Sequence, residues 1–375
     1  MQRTLALTLL VAGGLVFTAC NDNQLTGFED QLLEKRVGAR GNSSSVTVMT
    51  RNLYIGADVD PIIEAAAAGR PIEEIIALVN DAFEMMLFTN YPARAEAIAA
   101  EIMDTKPHLV GLQEVYLIES GDLELDFLNI LLWFLQGQYY VATSIENTNV
   151  TVPRSEAEVV SLLDRDVILA RADVPTTDPL GMNYETVLGP FDLLGEELSI
   201  IRGFAAVDAV VDGREFRFVD THPEPGADEG AMIRQAQIGE LIQHLAGETL
   251  PVVLVGDLNT DGYTREPGYQ MLMDAGFKDA WVRYAGYKDP GFTSGHDADL
   301  QNETAAPFHH RIDLILASQL GWASVDILGE EPEDRFEVTV EVEPGVYVSY
   351  YLWPSDHAGV VGQLHIPAPN VIVEY

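Results

Sequence analysis

Several short stretches of this chain set acidic, amide and imidazole side chains where phosphate or metal chemistry could use them. In Val255-Gly256-Asp257-Leu258-Asn259 an apolar run ends at a glycine, and Asp257 and Asn259, at i and i+2, leave an extended chain in the same direction. A carboxylate beside an amide at a strand end can orient a water and bind a phosphate oxygen. Ser355-Asp356-His357 joins a potential metal ligand to an imidazole that titrates near neutrality. Glu114 closes Gly111-Leu112-Gln113-Glu114 after a short apolar strand, a place where a carboxylate can hold a hard cation such as Mg²⁺. Asp220-Thr221-His222 closes another strand-like run and Asn52 follows a third. Asp313 stands in the otherwise apolar Arg311-Ile312-Asp313-Leu314-Ile315, where a buried carboxylate needs a histidine or a metal as partner. Taken singly, each has a structural explanation of equal weight, as a cap, a turn or a surface pair.

Other residues invite the same attention and carry less. Asp257, Asn259, Asp261 and Gly262 match positions 1, 3, 5 and 6 of a calcium loop, but position 12 is Gly268 and the preceding segment is a strand rather than a helix. His309-His310 and His296-Asp297-Ala298-Asp299 read as solvated loop, and His108 and His244 as ordinary core or surface histidines. Arg202 is a candidate phosphate contact in a chain with few cations.

The elements that must position these residues are legible from periodicity. Val46–Thr50 alternates as a strand. Helical patterns cover roughly 61–88, broken at Gly69 and Pro71, then 92–105 and 124–136. Strand-like runs fall at 108–112, 139–145, 166–170, 198–211, 215–220 and 251–255, and near 312–316, 322–328, 336–342, 346–352 and 358–366, with a turn at Glu343-Pro344-Gly345. The clearest amphipathic helix is 229–246, with Met232, Ile238, Leu241, Ile242 and Leu245 on its apolar face. Strands mixed with surface helices and a β-rich end fit an α/β sandwich of two sheets better than an open parallel sheet.

Composition bounds the function. The chain has 375 residues, enough for one large domain, with 21 basic and 59 acidic residues and a net charge of −38. Such a surface repels polyanions, so extended duplex DNA binding is not expected. Adaptation to high salt would also account for the acidity. The single cysteine, Cys20, rules out an internal disulfide and a cysteine zinc site. It follows a basic start and an apolar run, Leu5–Phe17, that is too short to span a bilayer, which takes about 20 apolar residues. Residues 1–19 therefore read as a secretory leader, and Phe17-Thr18-Ala19-Cys20 resembles a lipoprotein lipobox with Phe in place of the usual Leu. The expected plan is a leader at 1–19, a flexible tether at 20–45 after an acylated Cys20, one domain at 46–368 and a tail at 369–375. That plan implies a monomer held by lipid at the bacterial envelope, at the cell surface, the outer membrane or in the periplasm.

Taken in order, Thr50-Arg51-Asn52, Gln113-Glu114, Asp220-Thr221-His222, Gly256-Asp257-Leu258-Asn259, Arg311-Ile312-Asp313 and Ser355-Asp356-His357 resemble the endonuclease/exonuclease/phosphatase superfamily, whose fold is that of DNase I. The resemblance spans residues 46–366; a departure is Asp220, where many members carry Asn. It implies a DNase I-like four-layer α/β sandwich, two packed and mainly antiparallel β-sheets flanked by helices, and a Mg²⁺-dependent phosphoester hydrolase, with Mn²⁺ or Ca²⁺ as other candidate ions. By the same resemblance Glu114, Asn52 and Asp356 would hold the metal or its waters. Asp257 would orient or deprotonate the attacking water, and Asn259 would bind a phosphate oxygen. His222 and His357 would contact phosphate or move protons, with Asp313 fixing the tautomer of His357. The substrate would be a small phosphodiester, a phospholipid head group or a short nucleic acid. Tyr54-Ile55-Gly56-Ala57-Asp58 looks like a stretch of secreted bacterial members. The competing expectation is a surface lipoprotein that keeps the fold for binding without catalysis.

Overall fold

Val46 and Val48 on the first strand face one apolar layer while Met49 faces another, so this strand is covered on both sides. The computed structural model describes residues 45–155, 157–193, 196–305, 308–343 and 345–366. The leader expected at 1–19, Cys20, the tether up to residue 44 and the tail expected at 369–375 lie outside the described residues.

The first half runs β1 (Ser45–Asn52), α1 (Asp60–Ala67), α2 (Ile72–Thr89), α3 (Tyr91–Thr105), β2 (Leu109–Gln113), β3 (Leu117–Ser120), β4 (Leu123–Asp126), α4 (Phe127–Leu135), β5 (Tyr139–Pro153) and β6 (Val159–Arg171). Next come β7 (Thr176–Asn183), β8 (Leu188–Leu193), β9 (Glu196–Ile200), β10 (Gly203–Val211), β11 (Arg214–Thr221), α5 (Glu229–Leu245), β12 (Val252–Asp257), α6 (Pro267–Asp274), β13 (Lys278–Asp279) and α7 (Ala280–Tyr284). A long loop then leads to β14 (Asp313–Ala317), β15 (Ala323–Leu328), β16 (Phe336–Glu343), β17 (Val346–Leu352) and β18 (Gly359–His365).

One sheet has the order β15-β18-β1-β2-β6-β3-β4, with β5 also on β6; the other is β13-β14-β12-β11-β10-β7. Neighbours are antiparallel except for β1 with β2 and β11 with β12. Three apolar layers separate four structural ones. Val48, Ile168, Val207, Phe218 and Val255 fill the space between the sheets. Helices α2, α3 and α4 cover the first sheet through Phe83, Ile98 and Leu131, and α5 and α6 cover the second through Ile238, Leu241 and Leu272. This is the α/β sandwich of two mainly antiparallel sheets, with helices on both outer faces, that the resemblance implies.

Local differences from the sequence pattern have physical causes. The helix expected over 124–136 starts at Phe127, because Leu123–Asp126 pairs with β3 and the Asp126 carboxylate caps the helix, accepting from Leu128 N at 3.1 Å and Asn129 N at 3.3 Å. The run 198–211 is two strands, since β9 pairs with β8 and β10 with β11 and β7. Met232 is 66% exposed; Ile233, Ile238, Leu241 and Leu245 form the buried face of α5. Strands β3, β4, β7 and β8, absent from the sequence reading, lie in or beside the sheets.

Candidate active site

The two parallel strand pairs carry the polar motifs to one edge of the sandwich. Asn52 at the end of β1 is level with Gln113 at the end of β2, and in the facing sheet Asp313 pairs directly across from Asp257. Asn52 ties the sheets together, its amide donating to Glu114 Oε1 at 2.9 Å and to Asp257 Oδ2 at 3.1 Å. Its own Oδ1 accepts from Tyr54 N at 2.8 Å and keeps a second lone pair, so Asn52 orients two carboxylates and can still offer an oxygen to a metal or its water.

Backbone conformation at two residues makes this approach work. Gly256 has φ +147°, and a Cβ there would collide with the Thr221 carbonyl, so only glycine lets the end of β12 press against the end of β11. That contact brings His222 Nε2 to 3.6 Å from Asp257 Oδ2. Glu114 has φ +58°, a left-handed turn directly after β2. It sends the carboxylate back toward the 53–57 loop, where Oε2 accepts from Ile55 N at 2.9 Å.

His357, in the loop before β18, places Nδ1 2.9 Å from Asp313 Oδ2 and 3.7 Å from Asp257 Oδ2. Thr293 Oγ1 donates to the same Asp313 oxygen at 2.7 Å and accepts from Asp313 N at 3.1 Å, which fixes the carboxylate. Burial pulls the His357 imidazole down, but Asp313, Asp257 and Asp356 outweigh it and hold it well above its usual range. His222 is the reverse: burial, and then the Arg202 guanidinium, push it well below. Burial, partly offset by His357 and reinforced by Asp313, lifts Asp257 to about 6. The site thus holds one imidazole poised to carry a proton, one poised to stay neutral, and a carboxyl tuned toward neutrality.

Glu114 and Asp356 form the other half of the site. Burial and the Asp356 charge raise Glu114, and burial raises Asp356. Each Glu114 oxygen accepts one hydrogen bond and keeps a second lone pair. Two half-buried carboxylates that ionise at a cost fit a hard divalent cation, which favours oxygen ligands. Asp257, Asp313 and His357 also offer ligand atoms within 4.8 Å of one another, but an ion there would have to displace the His357–Asp313 hydrogen bond, so Glu114 and Asp356 are the better donors.

Two buried arginines hold the frame. Arg94 donates from Nε to Thr89 O at 3.1 Å and from its terminal nitrogens to Leu53 O at 2.5 Å, Tyr54 O at 2.9 Å and Pro354 O at 3.2 Å, pinning the loops on either side of Glu114 and Asp356. Arg51 bonds Glu101 through two nitrogens and donates to the His357 carbonyl.

Of the residues singled out in the sequence, Asn52, Glu114, His222, Asp257, Asp313 and His357 form one connected cluster, with Asp356 beside it. Asn259 stands at its rim: its backbone N donates to Asp257 Oδ1 and its side-chain amide to Pro223 O, both at 3.0 Å. Asp220 is elsewhere, wedged between the sheets against Gly111 and accepting from Gln113 Nε2 at 2.5 Å. Arg202 is held by Glu224 at 3.2 Å and Asp164 at 3.5 Å. His296 stacks on Trp353, and the calcium-loop candidate Asp261 instead accepts from Tyr263 N and Thr264 Oγ1. Arg94, Thr293 and Ser294, whose Oγ is 3.4 Å from His357 Nε2, had no sequence signal.

The sequence profile of the endonuclease/exonuclease/phosphatase family matches residues 86–357. The chain belongs to this family. The match takes in Glu114, His222, Asp257, Asn259, Asp313, Asp356 and His357, and Asn52 lies upstream of it. The chain is similar to several solved structures. A family member from Bacteroides thetaiotaomicron is 18% identical with a TM-score of 0.52, over 87% of this chain and 100% of that one. A mannosyl-6-phosphatase from the same organism is 18% identical with a TM-score of 0.48, over 85% and 99%. A family member from Beutenbergia cavernae is 20% identical with a TM-score of 0.49, over 87% and 72%. No curated protein matches the chain in sequence. The family's chemistry is phosphoester hydrolysis, and a buried acidic and histidine cluster of the kind seen here suits it.

Proposed function

We propose that the protein is a Mg²⁺-dependent phosphoester hydrolase tethered to a bacterial envelope through lipid on Cys20. The observation that carries the catalytic reading is the His357–Asp313–Asp257 contact, set one Asn52 side chain away from Glu114. A divalent ion held by Glu114 and Asp356 would supply positive charge against the phosphate and the departing oxygen.

The chain's own residues supply the rest. Asp257, with a carboxyl near 6, accepts the proton of the attacking water at neutral pH, and Asn52 holds it in place. His357, kept protonated by Asp313, donates from Nε2 to a phosphate oxygen or the leaving group. The neutral His222 hydrogen-bonds the phosphate, and Asn259 offers its amide at the rim.

The test is hydrolysis of a panel comprising bis-p-nitrophenyl phosphate, a sugar phosphate, a short oligonucleotide and a phospholipid. Each is run with Mg²⁺, with EDTA, and with the His357→Ala variant. Turnover that requires the ion and falls at least a hundredfold in the variant supports the reading. A folded protein with no ion-dependent turnover on any member would favour a non-catalytic binding lipoprotein. Labelling with radioactive palmitate, with and without Cys20→Ala, tests the anchor separately.

A further inference from the structure

Beside the catalytic cluster lies a cavity of roughly 140 Å³ enclosed by the 55–59 loop, α1, α2 and strands β5, β6, β8 and β9. Its wall is almost wholly apolar, with Ile55, Ile62, Phe83, Val150, Leu162 and Leu198 among the lining side chains. For comparison, an apolar cavity of about 150 Å³ is large enough to bind benzene.

Polar groups of the lining connect the cavity to the catalytic cluster. Ile55 lines it, and the N–H of the same residue binds Glu114 Oε2 at 2.9 Å. Tyr116, two residues past Glu114, lines it as well. Arg202 and Asp164 complete the polar end, and Arg202 also reaches His222 Nδ1 at 3.4 Å. Asp164 is 2% exposed and its Oδ2 lies 3.5 Å from the Arg202 guanidinium, so the two charges compensate each other at the end of the chamber. An apolar chamber whose polar end lies next to Glu114 and His222 is shaped for one half of a reacting molecule. One glycine shapes its wall. Gly56, between the lining residues Ile55 and Ala57, has φ +103°, and a Cβ there would overlap the Thr89 hydroxyl, so the loop needs glycine to form this wall.

We infer that this cavity is the seat of the substrate's organic group, and that the preferred phosphoester carries an apolar group of about six carbons. The inference rests on the phosphoester reading above and narrows it, away from sugar phosphates, whose hydroxyls would be stranded against the apolar wall.

The test measures binding of non-hydrolysable phosphonates to the full-length protein by calorimetry, in Mg²⁺. The series runs from methyl through butyl to hexyl, with hexanol and glucose 6-phosphate as separate arms. Each methylene that enters the cavity should tighten binding about fourfold, giving at least tenfold from methyl to hexyl. Ala82→Leu, which fills the cavity from α2, should abolish that gain and leave methylphosphonate binding unchanged. Val150→Ala, which enlarges it, should move the optimum to a longer chain, and it guards against a filled variant that merely misfolds. Hexylphosphonate binding no tighter than methylphosphonate, or glucose 6-phosphate binding as tightly as hexylphosphonate, overturns the inference. So does hexanol binding that neither competes with nor is strengthened by methylphosphonate, because the cavity would then be unconnected to the phosphate site. Hydrolysis of bis-p-nitrophenyl phosphate is followed in parallel. If it proceeds while the chain-length effect is absent, only the cavity inference fails; if the chain-length effect holds with no hydrolysis, the cavity stands and the hydrolase reading fails.

Discussion

His357 Nδ1 faces two carboxylates at once, Asp313 Oδ2 at 2.9 Å and Asp257 Oδ2 at 3.7 Å, because Asp257 and Asp313 sit opposite each other on antiparallel strands. One carboxylate bonds the ring directly, and the other is close enough to feel its charge. The imidazole and Asp257 therefore titrate as a linked set, with Asp313 holding the proton on the histidine side.

Asp313→Asn removes the strongest support for the protonated ring while Thr293 still holds the side chain in place. Asp257 and Asp356 alone then oppose burial, and the His357 pKa falls. If His357 acts as the acid, the alkaline limb of the kcat/KM profile should move to lower pH, and activity at pH 8 should fall roughly 10²–10⁴-fold, the usual worth of a proton-transfer group. A uniform loss with an unmoved limb would assign Asp313 a structural role only.

Asp257 gives the acid limb. A base with a carboxyl near 6 is ionised above that pH and protonated below it, so kcat/KM should drop tenfold per pH unit below about 6. Asp257→Asn should remove the limb along with most of the activity. The folded protein should also gain stability at pH 7.5, because the variant no longer ionises a buried carboxyl there. Parallel pH profiles and thermal melts check both halves.

How much of this was legible in sequence depended on where the signals lay. Motifs at strand ends were readable, since an apolar run closing on Asp257 or Glu114 is a local pattern and parallel neighbours share an exit edge. Asp220 belonged to the same kind of pattern yet points between the sheets, and only the pairing register distinguishes it from His222. Arg94 was invisible because its carbonyl partners come from residues 53, 54, 89 and 354, and on a helix it reads as an ordinary surface charge. Thr293 lay in a long loop without periodicity, where burial is decided by the tertiary fold. Met232 was misplaced because Ile233, one residue on, is the side chain that α5 turns inward.

Arg94→Met tests the frame without touching the cluster. The substitution leaves buried carbonyls at Leu53, Tyr54, Thr89 and Pro354 without their donor, and each costs about 1–3 kcal/mol when unsatisfied. Stability should fall by at least about 3 kcal/mol, measured by denaturant titration. Under conditions where the variant is folded, affinity for the divalent ion should fall too, because the loops bearing Ile55 and Asp356 lose their common anchor. A variant as stable as the parent would show that the loops hold themselves.

The ion-free protein should lose stability as pH rises from 6.5 to 8. Over this range the unfolded chain has already released its carboxyl protons, which leave near 4, and its imidazoles go from about half protonated to almost wholly neutral. The folded chain still holds part of the proton population at Asp257 and Asp164, both near 6, and at Glu330, near 7. Burial is the first cause at all three. The folded chain also keeps the proton of His357, which Asp313, Asp257 and Asp356 hold well above the usual range against burial. The folded state therefore binds more protons, and stability falls with pH by roughly 1.4 kcal/mol per pH unit for each proton of difference. His108, His222 and His296, all pushed down first by burial, act in the opposite sense, an effect that fades between about 6.5 and 7.5 as the unfolded imidazoles lose their protons. A divalent ion at Glu114 and Asp356 binds their ionised forms and stabilises the fold by mass action. Melting temperature in EDTA should thus be lower at pH 8 than at pH 6.5, and saturating Mg²⁺ should raise it more at pH 8. A melting temperature that rises with pH in EDTA, or an ion effect that is larger at pH 6.5, would count against this placement of the buried carboxylates and the ion.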